Sequence, residues 1–527
     1  MSVQAVAIRS ARAPRSIREI RAREEGTIVK DWGGRYPVAL VYPGSYRVGM
    51  SNLGLQVIYG LLNRYGGVVA ERFFRDIPLS IESERPLSSF PLIAFSFSYE
   101  LDYLNSPAIL REDGIPLFAA GRNEGDPIVI AGGAPIMSNP APVAPFFDAL
   151  CIGEAEVILP EVLPILAGDL GREQKLRALA DMAGVYVPLY WSGEPVERQY
   201  LGDLDLVPAH SLVLTPDTEF GSLYLIEVER GCRFGCRFCM VKHAFSPIRF
   251  RSLESLLTQA KEGLGYRRRL GLIGPVVADH PRIEELLARI IDLGAGFSVS
   301  SLRTTSVTRN LVDLISRGGA RSLALAPEAG TDRLRRVINK GITEDDILRS
   351  LDFAVRGGMR QVKLYFMLGL PTETDDDVAG IIELGLKCLR LVEGQGSPCR
   401  LAINIAPFVP KAGTPFQWLG MAHQEVLEKR LQMIKRALSG RGVLVKSDSI
   451  PWSHVQGILS KGDERLAYAM ADMDRVSLSS WEKALATAGI DPSDVLEGWE
   501  VGRKLPWRMA AQETEILAGG LRRALGE

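Results

Sequence analysis

Short apolar runs alternate with amphipathic helical patterns along most of this chain, in two separate series. The runs of the first series are PVALVYPG (37–44), GGVVAERFF (66–74), PLIAFSFSY (91–99), PIVIAGGAP (127–135) and FFDALCIGEAE (146–156). Between the first two, LGLQVIYGLLNRYG (53–66) has the spacing of an amphipathic helix. This rhythm is typical of a parallel sheet covered by helices. We therefore predict an α/β, doubly wound domain over residues 37–165, after a basic N-terminal tail over 1–36.

A second series of apolar runs follows a connecting region at 166–220. Its six runs are LYLIEVER (223–230), LGLIGPVVA (270–278), FSVSSLR (297–303), SLALAPE (322–328), QVKLYFMLGLP (361–371) and RLAINIAPF (400–408). A helical pattern fills each interval, and Thr343 is placed to cap the helix predicted at 343–358. A complete eight-stranded barrel typically needs about 250 residues. Residues 221–440 are therefore predicted to form a partial, six-stranded (β/α) barrel.

Beyond residue 440 the alternation stops, and the sequence predicts a helical extension over 441–527. This part holds four of the seven tryptophans, namely Trp452, Trp481, Trp499 and Trp507. Helices that carry large aromatic side chains usually pack on the parent domain. The extension is therefore interpreted as a C-terminal cap.

Charge and cysteine content exclude several classes of protein. Lys and Arg number 62 against 63 Asp and Glu, so the net charge of -1 argues against a nucleic-acid-coating surface and leaves an RNA substrate open. Six cysteines are too few for a secreted disulfide scaffold and favour a reducing cytoplasm. No run of about 18 apolar residues is present, so no membrane span is expected. We predict a cytoplasmic protein.

The strongest chemical signal is the segment GCRFGCRFCMVKHAF (231–245), which follows the first predicted barrel strand. It places Cys232, Cys236 and Cys239 as C-x3-C-x2-C. Three thiolates on one loop can hold three irons of a 4Fe-4S cluster, which leaves one iron open for an exogenous ligand. Structural zinc is the alternative, with His243 as the fourth ligand. Zinc knuckles do not usually follow the first strand of a β/α barrel.

This motif resembles that of the radical S-adenosylmethionine (SAM) superfamily, because Phe238 supplies the aromatic residue before the last cysteine and six β/α units accompany it. The resemblance implies that the open iron chelates the amino and carboxylate groups of SAM. Electron transfer then cleaves SAM to methionine and a 5′-deoxyadenosyl radical, which implies an electron donor such as flavodoxin or ferredoxin. The cofactor carries the radical chemistry, and the protein positions it and excludes water.

The resemblance also implies which strand ends contact SAM. Family members have a Gly-Gly-acid turn after the second strand, where this chain has Gly274 without the acid. Ser301 and Arg303 stand where the family binds the methionine carboxylate, and a guanidinium suits a two-pronged contact. Glu328 faces ribose or the methionine moiety, and Gly369 gives adenine clearance. The structural alternatives are a barrel-mouth salt bridge for Arg303 and a simple turn for Gly369.

Residues 37–165 resemble the cobalamin-binding domain that precedes the barrel in one branch of the superfamily. The matching segments are FSFSYE (95–100), IAGGAP (130–135) and DALCIGEAE (148–156). The resemblance places six residues beside the corrinoid, namely Ser96, Ser98, Gly132, Gly133, Gly153 and Glu154.

Two departures from this pattern leave cobalamin open. The D-x-H-x-x-G motif is absent and the first histidine is His210, so a bound cobalamin would lack a histidine lower ligand. Bulky Tyr46, Arg47 and Met50 lie where the corrinoid tail needs room. A fold that has lost its cofactor is an equal alternative, because a shared fold alone does not establish function.

From about residue 37 the whole chain resembles an uncharacterised group of such two-domain proteins, so three functions stay open. The first is a radical enzyme that functionalises a C–H bond of a small-molecule or peptide substrate, with or without methyl transfer through cobalamin. The second is a methylthiotransferase acting on tRNA or protein, which needs three N-terminal cysteines for a second cluster, where this domain has only Cys151. The third is a non-catalytic iron-sulfur protein.

Overall fold

The first domain is built on a six-stranded sheet in the computed structural model, which describes residues 16–510 and 514–526. Its strands are β1 (Tyr36–Tyr42), β2 (Val68–Phe74), β3 (Leu92–Phe97), β4 (Ile128–Gly133), β5 (Ala149–Cys151) and β6 (Val185–Tyr186). Their order is β2-β1-β3-β4-β5-β6, and the pairs are parallel except for β5 with β6. All five predicted runs form strands, as expected for a doubly wound sheet.

Helices cover both faces of this sheet. They are α1 (Ile17–Arg21), α2 (Tyr46–Gly49), α3 (Leu53–Arg64), α4 (Ser106–Glu112), α5 (Ala134–Ser138), α6 (Ala155–Ala167) and α7 (Arg172–Ala180). In β1, Val38 and Leu40 pack into one apolar core, whereas Ala39 and Val41 pack into the other. Burial on both faces explains why the strands read as continuous apolar runs.

The predicted N-terminal tail lies partly outside the described residues, since positions 1–15 are not among them. From Ser16, which caps α1, the chain docks on the first domain and buries Ile20. Arg72 on β2 is fully buried and pairs with both Glu24 and Glu82 at 2.7 Å. Residues just after α1 are therefore tied to the sheet by a buried ion-pair network.

The second domain is an open (β/α) barrel. Its parallel strands are β7 (Tyr224–Glu227), β10 (Arg269–Ile273), β11 (Gly296–Val299), β12 (Ser322–Glu328), β13 (Gln361–Leu368), β14 (Arg400–Pro407) and β15 (Leu444–Ser447). They form sheets β11-β10-β7 and β12-β13-β14-β15, which a parallel bridge between Leu302 and Leu325 joins. A short antiparallel pair, β8 (Glu229–Arg230) with β9 (Arg249–Phe250), follows β7.

The six predicted barrel strands are all present, and β15 adds a seventh beyond residue 440. The barrel helices are α8 (Val241–Ala244), α9 (Leu253–Leu264), α10 (Ile283–Asp292), α11 (Arg309–Arg317), α12 (Asp332–Val337), α13 (Glu344–Arg356), α14 (Asp375–Gly394) and α15 (Gln424–Ser439). The Thr343 hydroxyl accepts from the backbone N–H of Asp346 and caps α13, as predicted.

The C-terminal part packs on both domains. Its helices are α16 (Ile450–Lys461), α17 (Arg465–Ala471), α18 (Leu478–Thr487), α19 (Ser493–Leu496) and α20 (Thr514–Leu525). Trp481 and Trp507 are buried in one core with Phe97 and Phe146 of the first domain. Helix α20 contributes Leu517 to a smaller core beside α12. Among the helices described, none has the length and apolar character required to span a bilayer.

Candidate functional site

The cysteine loop leaves β8 at Gly231 and is fixed to α12. Gly231 has a φ of +89°, and a Cβ there would overlap the carbonyl oxygen of Phe245, so this position requires glycine. Further along, the Arg237 N–H donates to the Ile338 carbonyl at 3.0 Å, and the Asn339 amide donates to the Gly235 carbonyl at 2.7 Å. The backbone between the cysteines is therefore held in place from outside the loop.

Cys232, Cys236 and Cys239 are free and half-exposed on this loop. Burial raises the pKa of Cys232, and it raises that of Cys239 to about 11. No group of three or more His, Cys, Asp or Glu side chains in the described residues could hold a metal ion as it stands. A 4Fe-4S cluster fits this donor set better than zinc, because each thiolate binds a different iron. Burial lowers the pKa of His243 to about 4, so this imidazole is neutral.

Arg303 connects the cysteine loop to the end of β12. Its Nη1 lies 4.0 Å from the Cys236 sulfur, and its guanidinium stacks 3.8 Å from the centre of the Phe234 ring. The same guanidinium donates to the carbonyl of Lys340, whose Nζ donates to Glu328 Oε1 at 2.9 Å. Glu328 has a φ of +67°, an unusual conformation that turns the chain at the strand end. Two of the three predicted polar SAM contacts, Arg303 and Glu328, thus lie on one chain of contacts that starts at a cysteine.

Gly274 directly follows β10, the strand that pairs with β7. A Cβ at this position would overlap the carboxylate of Glu229. The Ser300 hydroxyl donates to the Gly274 carbonyl at 2.9 Å, whereas the adjacent Ser301 is exposed. The structure therefore links Ser300 to the glycine turn and places Ser301 beside it, and a SAM contact by Ser301 stays a prediction.

Gly369 and Phe238 are the two remaining predicted SAM positions, and both contact residues of the C-terminal half of the chain. Gly369 has a φ of +83°, and a Cβ there would lie 2.8 Å from Leu427 of α15, so the turn requires glycine. Its N–H donates to Glu373 at 2.7 Å. Phe238 is half-buried against the small core that includes Leu517 of α20. Their roles toward adenine and the cluster stay predictions.

Four of the predicted cobalamin positions lie at the carboxyl ends of β3 and β4. Ser96 is buried and pairs in register with Gly132. Gly133 has a φ of +122°, and a Cβ there would overlap the Phe97 carbonyl, so strand packing alone demands glycine. The Ser98 hydroxyl accepts from the Asn52 amide at 2.7 Å. Ser98, Gly132 and Gly133 are half-exposed, so their backbone stays accessible at this edge.

The other two positions, Gly153 and Glu154, contact the connecting region and the barrel. Gly153 forms a parallel bridge with Gln199, and a Cβ on it would overlap the Gln199 backbone. Glu154 is buried and pairs with Arg249 at 2.7 Å and with Arg230 at 2.8 Å. This carboxylate therefore joins the two domains just before the cysteine loop, and its contact with a corrinoid stays a prediction.

Polar side chains line the inner face of the barrel. Tyr365, Asn404 and Lys446 lie in register on β13, β14 and β15. Their neighbours along these strands point the other way and pack into the apolar core between the strands and the surrounding helices. Burial and the Asp448 carboxylate raise the pKa of Tyr365. Burial and several acidic groups, Asp448 among them, raise that of Tyr99 in the first domain. Asp448 therefore lies between the two domains, beside this row.

Sequence reasoning missed Glu229 and Lys340. Both have charged side chains that contact residues predicted to bind SAM. Glu229 lies against Gly274, and Lys340 pairs with Glu328. Lys340 follows α12 in a short loop, and Glu229 sits in a two-residue strand. Glu229 stands two residues before the cysteine segment (231–245) and Lys340 ten residues after APEAG (326–330), and neither position indicates which way the side chain faces.

Comparison with family models gives two adjacent matches. Residues 54–188 match the model described as "Radical SAM proteins, N-terminal", and residues 226–385 match the model of the radical SAM superfamily. An uncharacterised protein of Methanocaldococcus jannaschii is 31% identical over 437 residues, which cover 82% of this chain and 89% of that protein. Together these matches span both domains.

One further relative and one solved structure of similar fold have stated activities. A tRNA-2-methylthio-N(6)-dimethylallyladenosine synthase of Methylibium petroleiphilum is 24% identical over 272 residues, 48% of this chain and 56% of that enzyme. The radical SAM methyltransferase TsrM of Kitasatospora setae, solved with cobalamin and a [4Fe-4S] cluster, superposes with a TM-score of 0.55 at 12% identity. That superposition covers 86% of this chain and 99% of TsrM, and at such low identity it shows the fold alone.

Proposed function

The chain belongs to the radical SAM superfamily, and on that premise we propose that it cleaves SAM reductively and functionalises an unactivated C–H bond of its substrate. The observation that carries the proposal is the loop of three free, half-exposed cysteines with the Arg303 guanidinium 4.0 Å from Cys236. These thiolates would hold a 4Fe-4S cluster, which when bound and reduced would supply the electron for cleavage of a carbon–sulfur bond of SAM. The test is whether the reduced protein forms 5′-deoxyadenosine from SAM.

The residues around the loop have separable tasks. The Arg303 N–H groups and positive charge stabilise negative charge on Cys236. Lys340 fixes Arg303 through its carbonyl and holds Glu328 through its ammonium group. Glu328 then presents its carboxylate at the strand end, where it can accept hydrogen bonds from ribose hydroxyls. Gly274 carries no side chain, which leaves room for the Glu229 carboxylate at the end of β10.

Methyl transfer through cobalamin is one form of this function. The half-exposed backbone of Ser98, Gly132 and Gly133 supports it, because ligands of such sheets bind at the carboxyl ends of the strands. The contacts of Gly153 and Glu154 with the connecting region and the barrel favour a reaction without cobalamin. The visible spectrum of protein purified from cobalamin-fed cells separates the two, since a retained corrinoid assigns methyl transfer and its absence assigns cobalamin-free chemistry.

The methylthiotransferase alternative has one relative in its favour and one sequence observation against it. The tRNA-modifying relative matches 48% of this chain. A second cluster would need three cysteines in the first domain, and Cys151 stands alone in the first 231 residues. The radical enzyme without a second cluster is therefore the better proposal, and a cytoplasmic location suits its oxygen-sensitive chemistry.

The row of Tyr365, Asn404 and Lys446 is the proposed substrate-facing wall. Its hydroxyl, amide and ammonium groups line the inner face of the barrel near Asp448. These groups suit a polar small molecule or a peptide that enters between the domains. The balanced charge of the chain gives no support to a large nucleic-acid surface.

An acidic electron donor of the flavodoxin or ferredoxin type is proposed to dock beside the cysteine loop. Arg237, between two of the cysteines, donates to the Arg336 carbonyl at the end of α12. Burial and the charge of Arg523 on α20 lower the pKa of Arg237. We call Arg237, Arg336 and Arg523 the basic surface. Among the described residues, no carboxylate lies within 4.0 Å of their guanidinium groups. Like charges gathered without acidic partners suit an acidic protein.

Charge reversal of the basic surface tests this docking site. We expect Arg336→Glu/Arg523→Glu to lower flavodoxin-driven SAM cleavage by at least about tenfold at low salt, with dithionite-driven cleavage unchanged. Arg317→Glu is the matched control, because Arg317 is also exposed in the last turn of a helix. Equal flavodoxin-driven rates in both proteins would place the donor elsewhere.

A further inference from the structure

One buried carboxylate beside the cysteine loop lacks a complete set of partners. Glu229 is 1% exposed and lies three residues before Cys232. Its Oε1 accepts from the Val276 N–H at 2.7 Å, whereas Oε2 has no hydrogen-bond partner among the described residues. Leaving a buried acceptor unpaired is costly, and more so for a charged group. Such an atom calls for a partner from outside the chain.

The surrounding carboxylates show what Glu229 is missing. Glu227 pairs with Arg251 at 2.6 Å and with Arg230 at 2.9 Å, and Asp279 pairs with Arg233 at 2.9 Å. Glu229 has no lysine, arginine or histidine within 4.0 Å among the described residues. Burial, together with the charges of Glu227 and Asp279, raises its pKa to about 8. With no cationic side chain beside it and Oε2 unpartnered, the carboxyl group has a place for a cation from outside the chain, which would displace the proton that the raised pKa implies at neutral pH.

The position of Glu229 limits which cation can reach it. Gly274, which is half-exposed, lies directly against the carboxylate, and a Cβ there would overlap it. The Ser300 hydroxyl holds the Gly274 carbonyl at 2.9 Å, and Ser300 stands three residues before Arg303. The Glu229 carboxylate thus lies at the turn after β10, and Ser300 connects this turn to the segment that carries Arg303.

We propose that Glu229 binds the ammonium group of the methionine moiety of SAM. This inference rests on the proposed function, which makes SAM the ligand at this loop. The methionine moiety carries an ammonium group and a carboxylate on one carbon, and these match Glu229 and Arg303 in sign. An ammonium group brings three N–H donors, one of which satisfies Oε2. Glu229 is a binding residue in this scheme and takes no part in bond breaking.

Removing the charge of Glu229 without changing its shape tests the proposal. The Glu229→Gln side chain keeps an oxygen to accept from Val276, so the turn is preserved. In anaerobically reconstituted protein, equilibrium dialysis is expected to show SAM affinity reduced by at least about tenfold, with iron content unchanged. Affinity for 5′-methylthioadenosine, which has no ammonium group, is expected to be unchanged. Unaltered SAM affinity in a variant with full iron content would overturn the proposal.

A second arm uses the wild-type protein and therefore does not depend on how the variant folds. A SAM analogue with hydrogen in place of the amino group is expected to bind the wild-type protein at least about tenfold more weakly than SAM. Equal affinities of the wild-type protein for the two ligands would overturn the assignment of Glu229 and leave the proposed function standing. Failure of wild-type holoprotein to bind SAM at all would instead overturn the proposed function.

Discussion

Replacing Cys236 by alanine is expected to reduce SAM cleavage by at least about 100-fold while leaving the chain folded. Cys236 is half-exposed, and its sulfur is in contact with Arg303 at 4.0 Å, so the substitution removes little packing. It removes one of three thiolates, and a cluster held by two has lost an essential ligand. The measurement is 5′-deoxyadenosine formed per chain after anaerobic reconstitution, with the melting temperature as a check on folding.

The matched control is Cys151→Ala, which removes a cysteine outside the loop. Cys151 ends β5 in the first domain. Burial raises its pKa to about 12, so its thiol stays protonated at neutral pH and is a weak ligand for iron. This variant is expected to keep its iron and its activity. Full activity in Cys236→Ala would contradict the assignment of the loop. A Cys236→Ala protein that loses iron and keeps its cellular role would favour the non-catalytic alternative.

The largest stability effect is expected at the junction of the two domains. Glu154→Ala removes the carboxylate that pairs with Arg249 at 2.7 Å, and Glu154 and Arg249 are 2% and 7% exposed. Breaking a buried ion pair by removing one partner leaves the other charge uncompensated, so we expect a loss of about 3 kcal/mol in the free energy of unfolding. Urea denaturation followed by tryptophan fluorescence measures the loss.

The same ion pair predicts a pH dependence. Burial tends to raise the pKa of Glu154, but the hydrogen bond from Arg249 and the charge of Arg230 outweigh it, so the pKa is lowered from 4.5. The stabilisation is therefore fully present above pH 4.5 and is lost as the pH falls through the lower pKa of the folded state.

Glu173→Ala is the control for Glu154→Ala, because Glu173 pairs with Arg177 on an exposed surface and its loss should leave stability unchanged. Equal stability of the two variants would show that the junction contributes little.

The strands were predictable from the sequence where both faces of the sheet are buried. All eleven predicted apolar runs form strands, because a parallel sheet covered by helices needs continuous apolar segments. The sequence did not predict β15, whose four residues LVKS carry no apolar run and lie at the edge of the barrel sheet. The run LYLIEVER (223–230) contains both β7 and β8, and the two-residue β9 was missed because it also carries no apolar run.

The sequence places the three cysteines on one loop, and their roles and those of Arg303 and Glu328 stay predictions. The three cysteines share one loop, and Arg303 and Glu328 stand at strand ends that the barrel brings together. Lys340 was missed because it meets these residues only through the folded loop after α12. The Gly274 turn lacks the acidic residue of the family, and Glu229 from another strand lies against this turn instead. No local sequence pattern indicates that contact.

Formation of 5′-deoxyadenosine is the most direct test of the central claim. The protein is reconstituted anaerobically with iron and sulfide, reduced with dithionite and incubated with SAM, and the nucleoside product is quantified against an active radical SAM enzyme. We expect about four irons per chain and 5′-deoxyadenosine that depends on SAM, on the reductant and on Cys236. A reconstituted protein with full iron content that forms no 5′-deoxyadenosine, under conditions in which the reference enzyme does, would contradict the account.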